Sequence, residues 1–576
     1  MKPSRSTGRV LGNNEAAKVT RRSWLACIAT LCLGFFLTQT GEPLSAQLLP
    51  NTTPQTVRFL EQATFGPTPS LIASVRAQGF EAFLAEQFKA PMKAYPELDP
   101  VPAKRDANCT GTCQRDNYTM YPLQVHFFKN AVTGADQLRQ RVAWALSQIL
   151  VVSGLDITPS SWMRPFQQLL YESAFGNYEE LLYDVTRNAA MGRYLDTLNN
   201  RCQTVTDPTV PDPEAICRNG SPAKPNENYA RELLQLFTIG PELLHDDGTP
   251  ELDSNGTPSP SYGQDTIEEF ARVLTGWVLA PQVLSPLFGV LVANYSEPMR
   301  VSEGRHDRGP KRLLNIQGVP TDLPGDQSAN MELRAAISNI MSYQNTAPFI
   351  SRRLIQHLVT SNPSGQYVAD IAGVFRNSRS SPQQLYEVVR AILLHPEARG
   401  AFTPVPSGRL REPVLFITNV LRALNGSTDG VLNSIVIDDS PMGSAQMGQN
   451  VFTAPSVFNF YSPNHVVPRT DPPLFGPEFQ IHSTTSAVRR ANFVNQVVFG
   501  SIPGTTVDLS PWLKLASSPD DLISSFDMLL LHGTMSAEMR TLIRKAVTAV
   551  PFFPPAARIQ QAVYLIATSS QYQVQR

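Results

Sequence analysis

Gln137-Leu138-Arg139-Gln140-Arg141-Val142-Ala143-Trp144-Ala145-Leu146-Ser147-Gln148-Ile149-Leu150 places Leu138, Val142, Ala145, Leu146, Ile149 and Leu150 at three- and four-residue steps. Side chains with that period share one face of an α-helix, so the stretch predicts a helix with a core-facing stripe. Arg139, Gln140, Arg141 and Gln148 fall mainly on other faces. Similar stripes run through 166–175, 178–198, 228–239, 266–279, 331–342, 346–360, 366–376, 383–394, 411–424, 483–499, 519–530, 536–549 and 557–568. Strand signals are sparse: only 285–295 and 432–438 cluster Val, Leu and Ile between Pro, Gly and Asp. The fold class expected is all-α, with at most a minor β hairpin.

The helical stretches are interrupted by three long breaker-rich segments, 199–225, 241–265 and 280–330. Loops beyond ~12–15 residues are functional, packed by their own side chains, or disordered. No fixed-period repeat is visible, which disfavours a regular solenoid. The Pro/Gly-rich seam around 400–410 divides the chain into a main helical domain, 47–405, and a C-terminal helical subdomain, 406–576.

Among 576 residues, 48 Lys and Arg face 49 Asp and Glu, a net charge of -1. With no basic footprint to neutralise phosphates, no nucleic-acid partner is expected. At the N-terminus, Lys2, Arg5, Arg9, Lys18, Arg21 and Arg22 precede the apolar run Trp24 to Leu37 and the small-residue site Leu44-Ser45-Ala46. That run is shorter than the ~20 residues of a spanning helix. The expectation is therefore a cleavable export signal over 1–46, with no stable transmembrane span. Thr20-Arg21-Arg22-Ser23-Trp24-Leu25 looks like a twin-arginine signal, which points to a periplasmic or secreted protein. Cys27 and Cys32 would leave with the signal, and Cys109, Cys113, Cys202 and Cys217 would remain. In an oxidising compartment the local pairings 109–113 and 202–217 are expected, with cross-pairing of the two loops as the rival. The spacing lacks the second CxxC or His pair of a zinc site, so no metal is expected.

The densest polar patch is Asn226-Glu227-Asn228-Tyr229-Ala230-Arg231-Glu232 through Gly240. Asn226 can cap a helix, Gly240 can end it, and Glu227 and Arg231 stand four apart as a surface pair. Glu232 falls at the edge of the apolar arc beside Asn228, where desolvation raises a carboxylate pKa. Asp265 to Trp277 reads as an N-capped helix with Glu268 and Arg272 as a surface pair, and Trp277 half-buried beyond Gly276. Glu303 to Lys311 gathers His306, Asp307, Arg305, Arg308 and Lys311 in a predicted loop, where an imidazole beside a carboxylate can serve as a base and the cations can hold an anion. His357, with Arg352 and Arg353, lies on one predicted helix. The Gly448-Gln449-Asn450 and Pro455 to Tyr461 segments read mainly as packed, irregular core. No HExxH, GxSxG, Walker loop, GxGxxG or EF-hand register occurs.

Ala63-Thr64-Phe65-Gly66-Pro67-Thr68, the segment Asn226 to Gly240, Ala271 to Trp277, His306-Asp307 with Lys311, Arg411-Glu412-Pro413 and Pro455 to Tyr461 occur together and in order. In this the chain, over about 57 to 500, resembles the bacterial family catalogued as domain of unknown function 1800. The resemblance implies an exported, large and mostly helical protein, with no established activity and no known cofactor. It also implies a possible partner, because the genes often neighbour an exported family similar to sulfatases and alkaline phosphatases. Many relatives carry a Phe-Trp-His segment before the first long helix. Here Val125-His126-Phe127-Phe128 keeps one His only.

These readings converge on an exported helical protein that binds an extracytoplasmic ligand or partner through a polar pocket built from the long loops and the helix after Asn226. Ligand-binding roles fall to Asn226, Asn228, Arg231, Trp277, Asp307 and Lys311. The alternative is a hydrolase or lyase acting on envelope or environmental polymers, with Glu232 and His306 as proton carriers.

Overall fold

The computed structural model describes residues 52–201, 224–400, 408–432 and 445–576. The expectations for the export signal, for Cys202 with Cys217, and for strand 433–438 lie outside them, as does most of the seam, 401–407. Residues Pro50–Arg576 cluster as one compact unit.

The predicted stripes appear as helices, among them Gln137–Ile149, Ser160–Glu172, Tyr178–Arg187, Asn228–Gln235, Gln264–Val273, Ala329–Ser342, Thr346–Leu358 and Pro413–Ala423. The fold is predominantly helical, and the described strands form five two-stranded ribbons. One of them pairs Ala280–Leu284 with Leu291–Asn294, so the stretch 285–295 expected as one short strand is instead the turn and second strand of a hairpin. Helix Gln137–Ile149 packs against Ser160–Glu172 and Thr346–Leu358, and its apolar stripe enters the single large core.

Three local expectations need correction. The stripe 178–198 is two helices, because the Asn188 side chain accepts from the N–H groups of Ala190 (3.0 Å) and Met191 (3.4 Å) and starts a new one there. Helix Gln264–Val273 begins after Gly263 rather than at an Asp265 cap. It is also shorter than its stripe: Gly276 turns the chain at φ +90° and Trp277 enters a ribbon with Val301. A Cβ on Gly276 would lie 3.0 Å from the His306 Cβ, so the glycine permits the close approach of the His306 loop.

The largest departure concerns polarity. Arg141 is fully buried and Gln148 nearly so, although both lie off the apolar stripe. Helix Gln137–Ile149 is enclosed all round, and its polar residues face an internal network instead of water. A second buried tie joins distant parts of the chain: Glu61 of helix Thr53–Ala63 pairs with Arg411 and with His532 Nε2 at 2.8 Å.

Candidate functional site

The loop expected to carry chemistry is drawn inward. Arg272 grips Asp307 with two hydrogen bonds, Nε to Oδ2 at 2.8 Å and Nη2 to Oδ1 at 3.0 Å. Lys311 Nζ donates to the backbone carbonyls of Asp307 and Gly309 and lies 2.7 Å from Glu332 Oε2. His306 Nε2 lies 3.2 Å from the same carboxylate oxygen, while its Nδ1 lies 3.1 Å from the Thr275 carbonyl. Burial works against charge on Asp307, and the Arg272 hydrogen bonds override it, holding the carboxyl below its ordinary range. Burial pushes the Lys311 ammonium down. His306, Asp307 and Lys311 thus meet, and they fasten the 300–312 loop to helices Gln264–Val273 and Ala329–Ser342.

Trp277 is fully buried rather than half-buried, and it too belongs to this packing. The expected Glu268–Arg272 surface pair is not formed. Arg272 turns inward to Asp307 and Glu269, and Glu268 takes Lys224 at 2.8 Å. Bordering the cluster lies a groove of about 400 Å³ lined by Lys224, Glu227, Glu268, Glu269, Arg272, Lys311, Arg312 and Asp322. Its charges pair with one another or with a near neighbour, Lys224 with Glu268 at 2.8 Å, Arg312 with Asp322 at 3.6 Å and Glu227 with Arg231 at 3.0 Å.

The segment after Asn226 meets the same groove through Glu227 and is otherwise held by its own contacts. Asn226 Oδ1 accepts from the Asn228 N–H at 2.8 Å, and Asn226 is joined in both directions to Asn200. Asn228 reaches Asp196 at 3.3 Å, and Arg231 forms the expected pair with Glu227. Glu232 is buried, no described residue donates a hydrogen bond to its Oε2, and burial raises its pKa against the opposing Arg231 charge. Among the described residues no contact joins Glu232 to His306.

A third assembly, where the sequence suggested only core, holds chemistry that is not internally satisfied. Arg409 donates from Nε to Glu478 Oε1 at 2.9 Å and stands 3.6 Å from Glu412. Glu412 also accepts from Gln449 Nε2 (2.6 Å) and Tyr461 Oη (2.8 Å). The Gln148 amide fits with its carbonyl accepting from Trp144 Nε1 at 2.9 Å and its nitrogen donating toward Tyr461 Oη at 3.0 Å. Arg141 Nη2 and Arg409 Nη1 both donate to the His357 carbonyl. Burial opposes charge on Glu412, yet Arg409 and Arg141 hold it below its ordinary pKa, whereas burial wins at Glu478 and raises it. Burial also drives His357 down to about 3, so its ring is neutral at physiological pH.

This network borders a cavity of about 50 Å³ lined by Gln148, Leu236, Phe349, Arg353, Gln356, His357, Val457, Phe458, Asn459, Tyr461 and Glu478. Among the described residues Glu478 Oε2 has no hydrogen-bond partner, and neither do Arg141 Nε and Nη1. Leu236, at the end of helix Asn228–Gln235, is the one contribution from the Asn226–Gly240 motif. A signal did exist in the sequence: Arg141 and Gln148 in an otherwise core-like helix, and Arg409-Leu410-Arg411-Glu412 leading into an apolar one. Amphipathic reading assigns such residues to solvent. Among the described residues no three His, Cys, Asp or Glu side chains gather as a metal site.

Fold and site together define a large helical protein with a charged interior opening on a small cavity. The model of the family described as "Protein of unknown function (DUF1800)" matches residues 58–574, and the chain belongs to that family. No curated protein and no solved structure matches it.

Proposed function

We propose that this is an exported binding protein whose small-molecule ligand enters the cavity between helices Gln137–Ile149 and Thr346–Leu358 and the segment 457–478. The observation that carries the reading is Glu478, a side chain only 2% exposed that lines the cavity and whose Oε2 has no hydrogen-bond partner among the described residues. An unsatisfied buried group costs about 1–3 kcal/mol, and a ligand that meets it recovers that cost. The 400 Å³ groove is larger, but its charges already pair with one another, so a ligand there gains less. Hydrolysis or lysis of polymers through Glu232 and His306 draws less support, since those two side chains occupy separate surroundings and both ring nitrogens of His306 have neighbours.

The test is to purify the mature protein from its native compartment, denature it, and identify released small molecules by mass spectrometry. Leu236→Trp, which fills the cavity, is expected to abolish the released species while preserving the circular dichroism spectrum. Equal release from the variant and the wild type would remove the cavity as the site.

Docking of an exported partner similar to sulfatases and alkaline phosphatases is a second reading. It is favoured by the hairpin Ala280–Asn294, which exposes Leu284, Leu287, Val290 and Leu291 and carries no charged residue between Trp277 and Glu297. Pull-down of that neighbour by wild type but not by Leu287→Asp/Leu291→Asp is the expected result.

A further inference from the structure

Resting on the ligand-binding reading of the same cavity, we infer that its ligand bears a carboxylate and that Arg353 receives it. Arg353 lines the cavity and spends its hydrogen bonds on neutral acceptors, Gln356 Oε1 at 3.1 Å and Asn464 Oδ1 at 3.4 Å. Among the described residues no carboxylate pairs with it. Its guanidinium is also stacked 4.9 Å from the Phe349 ring, which fixes its orientation.

The surrounding charge has the same sign. Arg141, Arg353 and Arg409 stand against Glu412 and Glu478, three guanidiniums to two carboxylates. Buried cations without counter-charge are costly, and an anion brought into the cavity offsets that cost. The guanidinium fork matches the planar, two-oxygen head of a carboxylate with two parallel hydrogen bonds, and sulfate among the probes separates that head from a tetrahedral oxyanion. Leu236, Val457 and Phe458 provide an apolar wall for the remainder of the molecule, Phe458 being half exposed. Burial raises the Glu478 pKa, which lessens its opposition to an incoming anion.

The test uses the purified mature protein, with benzoate and glucuronate as probes, benzamide and glucose as neutral counterparts, and inorganic sulfate, all at constant ionic strength. One of the two acids is expected to raise Tm and to bind measurably by calorimetry. Arg353→Gln is expected to weaken that binding at least about tenfold (~1.4 kcal/mol) while keeping the unliganded Tm within about 2 °C of wild type. Arg353→Lys, which keeps the charge and loses the fork, should fall between them. A neutral counterpart binding as well as its acid would overturn the carboxylate assignment and leave the cavity in place as a binding site. Sulfate binding as tightly as the acid, no response to either acid, or unchanged affinity in Arg353→Gln would each overturn it as well. Acid binding that persists unaltered in Leu236→Trp would instead remove the cavity itself.

Discussion

Arg409 holds Glu478 by one oxygen only: its Nε and Nη2 lie 2.9 and 2.7 Å from Oε1, and Oε2 has no hydrogen-bond partner among the described residues. Glu412, by contrast, is enclosed by Gln449, Tyr461, Trp144 and Arg409. The two carboxylates that neutralise one guanidinium therefore differ in what they have left to offer. Glu478→Gln is expected to cost less than about 1.5 kcal/mol by urea unfolding, since Arg409 keeps Glu412. Glu412→Ala, which leaves Gln449, Tyr461 and Trp144 without their acceptor and Arg141 without the carboxylate that most offsets its charge, is expected to cost about 3–5 kcal/mol. Equal losses in both variants would mean that Glu478 is as structural as Glu412.

The Lys311–Glu332–His306 cluster should behave as scaffold. Lys311→Ala leaves the Glu332 carboxylate buried without its cation and is expected to lose about 3–5 kcal/mol, while Lys311→Met/Glu332→Gln should recover most of it. His306→Ala is expected to lose about 1–3 kcal/mol. Denaturant titration of the three variants checks this, and a Lys311→Ala protein as stable as wild type would make the loop a functional candidate again.

Acid stability should report on Glu61. Burial opposes its charge, but Arg411 and His532 hold its pKa down to about 2, from 4.5. A depressed carboxylate contributes stability that is fully present above the unfolded pKa and lost as pH falls through the folded one. The stability attributable to Glu61, on the order of 3 kcal/mol, is thus expected to disappear between about pH 4.5 and 2. Measured unfolding free energies across that range should show a shallower slope for Glu61→Gln.

Cys109 and Cys113 are joined by a disulfide. Closing so short a loop restricts the unfolded chain by only about 2 kcal/mol, so Cys109→Ser/Cys113→Ser should remain folded with a Tm a few degrees lower. Thiol titration of the denatured mature protein is expected to find no free cysteine, with Cys202 and Cys217 paired as well. Two free thiols would overturn the 202–217 pairing.

The periodicity of Gln137–Ile149 and its counterparts was sufficient for helix identity, because burying an apolar stripe is a local decision repeated every three to four residues. The ends were less legible. Asn188 cuts one stripe in two through a side-chain hydrogen bond, and Gly276 ends another through a backbone angle, and neither alters hydrophobic period. The candidate site divided in the same way. His306, Asp307 and Lys311 are close in sequence, but their surroundings depended on Arg272 and Glu332, which supply partners from separate helices. Arg141, Gln148, Tyr461 and Glu478 were not recognised as a group because they are scattered from residue 141 to 478.

What the sequence by itself determined was the helical class, the position of most helices and the family resemblance, all set by short-range pattern and ordered motifs. Tertiary structure alone decided which charges are satisfied. A guanidinium on a helix looks the same whether it meets water, a carboxylate or a cavity, and its energy depends on what distant segments bring to within a few ångströms of it.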